Sequence, residues 1–194
     1  MLNSIHFLKY TVGLASPLTH TTEAERETLK NYANGKKRLA EIGVSYGVNT
    51  KMFREVMARD GVLIAVDPYY RSFFGLRGNG WARRIAHREL SKVNNGTVLW
   101  VEETGKVAPS LDSVSKLLPI DFLFIDGDHT WQGLQEDWAS WSGKLSIGGI
   151  VALHDSANRG GIGAERYTSE VILLDKRYAK LETVDSLTVL KRIA

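Results

Sequence analysis

The chain has 194 residues, 43% of them hydrophobic and 24% charged, which is typical of a globular protein with one hydrophobic core. It contains no cysteine, which excludes disulfide frameworks, zinc sites built on thiolates and cysteine nucleophiles. The net charge of +3 is too small to indicate a nucleic-acid-binding protein. No apolar run is long enough to span a bilayer, and His6 and Lys9 interrupt the apolar stretch that a secretory signal would need. We therefore expect a cytoplasmic protein with no membrane segment.

Residues 1–20 show no clear periodicity, and we expect them to form an N-terminal arm or lid. Residues 21–194 contain no repeat, linker or low-complexity tract, which predicts a single domain. Within this domain, short runs rich in Val, Ile and Leu alternate with amphipathic stretches. The runs predicted to be buried strands are residues 37–42, 61–66, 97–102, 120–125 and 149–153.

Four helices are predicted around these strands from a capping box, two N-cap residues and an amphipathic period. They begin at Thr22, Asn49, Trp81 and Thr130, and the second is predicted to end at Gly61. Strand–helix–strand units of this length require parallel strands with right-handed crossovers. The fold class is therefore predicted to be α/β, with a doubly wound, mostly parallel sheet.

Two further features complete the chain. Strand-like runs at residues 178–185 and 187–193 predict an antiparallel hairpin that closes the sheet. The third helix has a basic outer face, which a solvated helix surface explains better than an RNA or phosphate patch. Its residues are Arg83, Arg84, His87, Arg88 and Lys92.

The first strand ends in a glycine turn, Glu41-Ile42-Gly43-Val44-Ser45-Tyr46-Gly47. Ligands of open parallel sheets bind beyond the carboxyl ends of the strands, where glycines allow close approach and a helix start offers N–H groups to an anion. A dinucleotide turn would have a glycine where Val44-Ser45 stand, so an NAD-binding oxidoreductase is the weaker alternative. The second strand ends at Asp67, whose carboxylate can accept both hydroxyls of a ribose.

Acidic and histidine side chains follow the next two buried strands. Asp126, Asp128 and His129 follow the fourth strand, and His154 and Asp155 follow the fifth. Neighbouring parallel strands lie about 5 Å apart, so these groups are expected to converge on one site. Crowded carboxylates need a cation or a shared proton, so Asp126, His154 and Asp155 are predicted to hold a divalent metal. The alternative is a core His154 bonded to a backbone carbonyl, with Asp128 capping the following helix.

Three segments carry a resemblance to a known family. The first two are the glycine turn from Glu41 and the strand end Val66-Asp67. The third consists of two related runs, Phe-Ile-Asp-Gly-Asp-His ending at His129 and Gly-Gly-Ile-Val-Ala-Leu-His-Asp ending at Asp155. Together they resemble a class I S-adenosylmethionine-dependent methyltransferase, more narrowly the methyltransferase domain 24 group, which is related to catechol-type and sugar or macrolide O-methyltransferases. The resemblance runs from about Thr22 to the C-terminus and implies a Rossmann-like sheet of seven strands.

The resemblance implies S-adenosylmethionine as the cofactor. Gly43 and Gly47 would lie against its methionine part, Asp67 would hold its ribose, and Glu41 would support the turn or the cofactor amine. Thr104 stands where catechol-type enzymes place a small hydroxyl residue near adenine, although Glu102-Glu103-Thr104 departs from the usual Gly-Asp-Ser. The predicted cofactor-binding set is Glu41, Gly43, Ser45, Gly47, Asn49, Asp67, Thr104 and Asp126.

The resemblance also implies a metal and a catalytic base. Related sugar and antibiotic enzymes bind magnesium at these positions, usually with a carboxylate where His154 stands; imidazole suits manganese better, so Mg and Mn are both candidates. A hydroxyl acceptor must be deprotonated, and Asp128 is the predicted catalytic base by family position, with His129 second. Independently of the resemblance, the aromatic residues Tyr69, Tyr70, Phe73 and Phe74 precede a glycine-rich segment, residues 75–80, and would flank the adenine or form a lid, unless helix packing explains them.

The methyl acceptor is expected to be a small hydroxylated molecule, because no acceptor-recognition domain is evident. A homodimer, in which the neighbouring subunit supplies the lid, would suit so short a chain. A non-catalytic module that binds S-adenosylmethionine or RNA is a further alternative, and salt-dependent RNA binding through Arg83 and Arg84 would favour it.

Overall fold

The computed structural model describes residues 2–69 and 80–194, and within them the chain forms one seven-stranded sheet. Its strands are β1 (Arg38–Ile42), β2 (Val62–Val66), β3 (Thr97–Val101), β4 (Ile120–Ile125), β5 (Leu145–Leu153), β6 (Tyr178–Val184) and β7 (Leu187–Arg192). They are ordered β3-β2-β1-β4-β5-β7-β6, with β1 to β5 parallel and β7 antiparallel to both β5 and β6. The predicted doubly wound sheet and its closing hairpin are confirmed.

Helices cover both faces of this sheet. Those of the described residues are α1 (Leu2–Thr11), α2 (Glu23–Ala33), α3 (Val48–Val56), α4 (Gly80–Leu90), α5 (Asp112–Ser115), α6 (Trp131–Trp141) and α7 (Gly163–Glu170), with 3₁₀ turns at Ala108–Ser110, Ser142–Lys144 and Ile172–Leu174. None of these helices has the length and apolar character needed to cross a membrane. The aromatic and glycine segment predicted as a possible lid, residues 70–79, lies outside the described residues.

Two helix starts follow the sequence prediction. The Thr22 hydroxyl accepts a hydrogen bond from Glu25 N at 3.1 Å, and the Glu25 carboxylate accepts one from Thr22 N at 2.8 Å. This reciprocal capping box begins α2. The Thr130 hydroxyl accepts from Gly133 N at 3.0 Å and begins α6 in the same manner.

The start and end of α3 differ from the prediction. Gly47, not Asn49, is the N-cap residue, with a φ of 76°. A side chain is excluded there as well, because a Cβ on Gly47 would lie 2.8 Å from Ala86 Cα. Asn49 lies inside the first turn, where its side-chain oxygen accepts from the Thr21 hydroxyl at 3.2 Å. The helix ends at Val56, well before Gly61, because the chain must turn there to enter β2.

The N-terminal segment contains a helix that the sequence did not signal. Its apolar residues Ile5 and Leu8 are exposed, so α1 has no regular buried apolar stripe that a periodicity could indicate. Two contacts attach it to α4: the Phe7 ring lies 4.3 Å from the Trp81 ring, and the buried Tyr10 hydroxyl donates to Glu89 at 2.5 Å. Burial, together with the Glu89 carboxylate, raises the pKa of Tyr10 to about 12.

The core fills both faces of the sheet. On one face, Ile125 and its neighbours pack against Trp141 of α6. On the other face, Phe122 and Phe124 pack against Phe53 of α3. Because successive residues of a strand point to opposite faces, both faces of the central strands are apolar, and the polar groups are left at the strand ends. The carboxyl ends of β1 to β5 therefore form one edge at which polar loops collect.

Candidate active site

The strand order reverses between β1 and β4, and the carboxyl ends of these two strands lie side by side. Asp126 N donates to the carbonyl of Ile42 at 2.8 Å, which joins the loop after β4 to the loop after β1. This switch point is where open α/β sheets bind ligands. A cavity of about 460 Å³, here called the central cavity, opens above it. Its lining includes the predicted residues Gly43, Ser45, Asp67, Thr104, Asp126, Asp128 and His129.

Gly43 can only be a glycine. Its φ is 93°, and a Cβ at this position would lie 2.0 Å from the carbonyl oxygen of Asp126. The turn therefore brings its bare backbone against the β4 loop at the floor of the central cavity. Ser45 also has a positive φ, 50°, which a residue with a side chain adopts only when its surroundings hold it there.

Asp67 holds the glycine turn in place. One of its carboxylate oxygens accepts from Ser45 N and the other from Tyr69 N, both at 2.8 Å. The Tyr69 hydroxyl donates back to the Ser45 carbonyl at 3.0 Å. Burial raises the pKa of Asp67, and the backbone N–H groups oppose that shift by stabilising the carboxylate. The ends of β1 and β2 are thus connected through a carboxylate that also faces the cavity.

Three predicted cofactor residues lie outside the central cavity. Glu41 is buried behind the glycine turn, and its pKa is raised well above the usual value by burial first and then by Asp126 and Asp67, although the Thr50 hydroxyl opposes the shift. Gly47 caps α3. Asn49 lines a neighbouring cavity of about 270 Å³, which Gly43 and Ser45 also border.

His154 is sandwiched between carboxylates. Its Nδ1 lies 2.9 Å from Asp126 Oδ1 and 3.6 Å from Asp155 Oδ1, and its Nε2 lies 3.4 Å from Glu25 Oε2. Burial alone would lower the pKa of His154, but the hydrogen bond and charge of Asp126, with Asp155 and Glu25, raise it above its usual value. The alternative of a core histidine bonded to a backbone carbonyl is therefore not what the structure contains.

His129 lies between two cavities. Its Nδ1 is 3.3 Å from Asp155 Oδ2, and its Nε2 is 3.9 Å from Asp126 Oδ1. It borders the central cavity and also an outer cavity of about 600 Å³, which His154, Asp155 and Arg159 line as well. Arg159 forms an ion pair with Asp155 at 2.8 Å. One nitrogen or oxygen atom from each of Asp126, His129 and His154 lies within 4.8 Å of the other two, close enough to share a cation.

The side chain of Asp128 is exposed, and one of its two carboxylate oxygens accepts a hydrogen bond from the backbone. Its Oδ1 accepts from Thr130 N at 2.9 Å, directly before α6. Asp128 does not cap α6 itself, because Thr130 is the N-cap residue, but its carboxylate holds the backbone of that cap. Its second oxygen remains available to the central cavity, which Asp128 lines.

The sequence analysis missed three residues of this region. Glu25 was identified only as half of a capping box, but it also accepts from Ser186 N at 2.9 Å and from the Ser186 hydroxyl at 2.7 Å and faces His154. His20 borders both the central and the outer cavity, and nothing in the aperiodic segment around it signals this. Asp137 lines the central cavity from α6, where a carboxylate beside two buried tryptophans was an available signal.

Comparisons with known proteins agree with this arrangement. A family model described as a methyltransferase domain (Methyltransf_24) matches residues 40–156, more than half of the chain. The chain is similar to the O-methyltransferase TomG from Streptomyces achromogenes, involved in tomaymycin synthesis and solved with SAM, at 17% identity and a TM-score of 0.69, covering 100% of this chain and 89% of that one.

Two further solved structures show the range of relatives. The O-methyltransferase from Bacillus cereus, in complex with SAH, matches at 16% identity and a TM-score of 0.63, covering 99% of this chain and 91% of that one. An rRNA methylase from Streptococcus thermophilus matches at 12% identity and a TM-score of 0.61, covering 91% and 100%. At these identities the structures share the fold, and their acceptors differ.

Proposed function

Because the chain belongs to the methyltransferase domain family and is a class I S-adenosylmethionine-dependent methyltransferase, we propose that it methylates a hydroxyl group of a small molecule, such as a sugar or a natural product. The observation that carries this proposal is the position of His129. It separates the central cavity, beside the glycine turn, from the outer cavity and lies against the carboxylate of Asp155. A donor and an acceptor molecule would meet at this side chain.

The central cavity fits S-adenosylmethionine, which supplies a methyl group on a positively charged sulfonium. Gly43 borders the cavity at the turn, and each Asp67 oxygen has a free lone pair for a ribose hydroxyl. The acidic lining suits a cation: its charged residues are Asp67, Asp126, Asp128, Glu136 and Asp137, against Lys106. The same charges would repel the pyrophosphate of NAD, which argues against the oxidoreductase alternative.

His129 is better placed than Asp128 to accept the proton of the acceptor hydroxyl. Methyl transfer requires an oxygen nucleophile held in line with the methyl group, so the base must border both cavities. The Asp155 carboxylate at His129 Nδ1 orients the ring and leaves Nε2 toward the cavities, the geometry of a base held by a carboxylate. Asp128 remains the second candidate, because its free oxygen also lines the central cavity.

We also propose that Asp126, His154 and Asp155 hold a divalent cation, Mg or Mn, which would act as a Lewis acid beside the acceptor. The donor set supports this. Glu25 faces Nε2 of His154 and would keep the hydrogen on that nitrogen when a cation is bound, which would leave the Nδ1 lone pair, on the side of Asp126 and Asp155, for the metal. Ligand atoms of Asp126, His154 and His129 lie close enough together to share a cation, with Asp155 beside them.

Contacts within the chain account for much of the basic face of α4. Arg83 pairs with Glu102, Arg84 stacks over Trp81 at 5.1 Å, and Arg88 lies over the Tyr10 ring at 5.3 Å. Side chains held in this way are less available for phosphate contacts, which supports a small acceptor over RNA.

A screen of hydroxylated small molecules, including sugars, for release of S-adenosylhomocysteine tests the proposed reaction. Each compound is offered with Mg²⁺, with Mn²⁺ or with excess chelator, and structured RNA is included as a competing acceptor. We expect turnover with a small hydroxylated compound. Turnover only with RNA would contradict the proposed acceptor class.

The metal proposal has its own outcome in this screen. Chelation should abolish turnover while S-adenosylhomocysteine binding stays almost intact, because the residues proposed for the cofactor lie mainly at the ends of β1 and β2 and the metal candidates at the ends of β4 and β5. Asp155→Asn should act like chelation. Full activity in excess chelator would overturn the metal and leave His129 or Asp128 as a lone base.

A further inference from the structure

A buried carboxylate faces the central cavity without a partner. Asp137 on α6 is only 7% exposed, and no side chain or backbone group in residues 2–69 and 80–194 donates a hydrogen bond to it. It follows the apolar stripe of Leu134, Trp138 and Trp141 on the buried side of the helix. Burying a carboxyl group without a partner costs free energy, so its presence here calls for a ligand.

Two glycines lie close against the carboxyl group of Asp137, which also borders the central cavity. A Cβ on Gly105 would lie 2.2 Å from Asp137 Oδ1, and a Cβ on Gly127 would lie 3.1 Å from Oδ2. These two glycines follow β3 and β4, respectively. The loops at the ends of these strands therefore pass directly over the carboxyl oxygens.

The charges near Asp137 favour a neutral ligand that donates hydrogen bonds. Burial first, and then the charges of Asp128 and Glu136, raise the pKa of Asp137 to about 7. Lys106, which also lines the cavity, pairs with Glu136 at 3.2 Å. A phosphate or carboxylate would be repelled here, whereas an amino group would supply the missing donor.

The base of the proposed cofactor would reach this position. With the methionine part at Gly43 and the ribose at Asp67, the adenine extends toward the end of β3, where Thr104 and Gly105 line the cavity. The exocyclic amino group carries the only hydrogen-bond donors of an adenine joined to ribose. It is therefore the part of the cofactor that matches an unpartnered carboxylate.

We propose that Asp137 accepts a hydrogen bond from the exocyclic amino group of adenine and thereby selects adenine over bases with an oxo group at that position. The inference rests on the proposed function, because it requires S-adenosylmethionine as the ligand. An oxo group would point its lone pairs at the carboxylate, and the base could then pair with Asp137 only by shifting to present its ring N1–H. Sites built around such a hydrogen bond discriminate strongly against the analogue that cannot make it.

Calorimetric titration at pH 8 tests this specificity with two ligands, S-adenosylhomocysteine and S-inosylhomocysteine, which has an oxo group in place of the amino group. The wild type should bind the adenine form at least about 30-fold more tightly. In Asp137→Asn this ratio should fall at least about tenfold, because an amide of the same shape can rotate to donate to the oxo oxygen. Glu170→Gln removes a carboxylate from an exposed position on α7, away from the cavity, and should leave the ratio unchanged.

Two results would overturn the inference: equal wild-type affinity for the two ligands, or an Asp137→Asn variant that keeps the wild-type ratio. In both, tight binding of S-adenosylhomocysteine would leave the proposed function intact. A wild type that binds neither ligand would instead contradict the proposed function, and the inference would fail with it.

Discussion

Gly43 is the residue at which the backbone conformation and the site depend on each other most directly. Alanine there would need a φ of 93° and a Cβ 2.0 Å from the Asp126 carbonyl. Gly35 is a matched control, because its φ of 70° is also positive but nothing lies within 4 Å of a Cβ. Gly43→Ala should lower the free energy of unfolding by at least about 3 kcal/mol, against about 1 kcal/mol for Gly35→Ala.

Urea unfolding of these two variants measures the difference. A similar loss of stability in both variants would contradict the close approach of the loops after β1 and β4, because the positive φ alone would then explain the loss in Gly43→Ala. The sequence predicted a glycine turn at the end of β1, but it gave no information about the β4 loop that packs against Gly43.

Asp137 predicts a pH dependence of stability. Its pKa is raised from 3.8 to about 7 in the folded protein, so folding takes up a proton between these pH values, and the stability it contributes at low pH is lost as pH rises toward 7. Asp137→Asn removes this loss and should be more stable than the wild type by about 3 kcal/mol at pH 8. Below pH 4 the two proteins should unfold alike.

Urea titrations at pH 3.5, 5.5 and 8 measure this trend. A constant difference between wild type and variant at all three values would show that Asp137 ionises normally. Glu170→Gln is the control, since the exposed Glu170 should change stability by less than about 0.5 kcal/mol.

At the scale of elements, Glu25 connects three parts of the fold. Its carboxylate begins α2, binds Ser186 in the turn between β6 and β7, and faces His154 after β5. Glu25→Gln should lower the free energy of unfolding by about 2 kcal/mol at pH 7, because the amide replaces one charged acceptor oxygen by a donor. Glu27→Gln, on the exposed side of the same helix, should cost less than about 0.5 kcal/mol.

The effect of Glu25→Gln should also depend on pH. Burial raises the pKa of Glu25, but hydrogen bonds from Ser186 and Thr22 and the charge of His154 outweigh it, and the pKa is lowered from 4.5. The stabilisation is therefore present above pH 4.5 and is lost as pH falls through the lowered pKa. Chemical denaturation at pH 7 and pH 3 measures the change, and a difference that persists at pH 3 would contradict it.

The elements predicted from sequence are those whose signal is local. The parallel strands β1, β2 and β4 are mostly buried and β3, at the sheet edge, is partly buried, so each contains a short apolar run, and their predicted bounds agree within a residue. The start of α3 was misassigned because Asn49 is a good N-cap residue in isolation, whereas the crowding of Gly47 against α4 is a tertiary effect. Glu25 and Asp137 likewise reach the site only because distant elements pack together, which a local sequence pattern does not reveal.

For the whole molecule, the charge of the site differs from the charge of the chain. The net charge is +3, yet acidic residues dominate the lining of the central cavity. Composition alone gives no sign of this acidic cavity, which the fold creates by gathering carboxylates at the ends of β2 and β4 and on α6. A cationic sulfonium fits this cavity, and a pyrophosphate does not.

Titration of the protein with S-adenosylhomocysteine, followed by calorimetry and repeated with NADH and with Asp67→Ala, tests this account most directly. The account predicts saturable binding of one S-adenosylhomocysteine per chain, no binding of NADH, and at least about a tenfold loss of affinity in the variant, because the ribose hydroxyls lose their acceptor. Binding of NADH without binding of S-adenosylhomocysteine would contradict it.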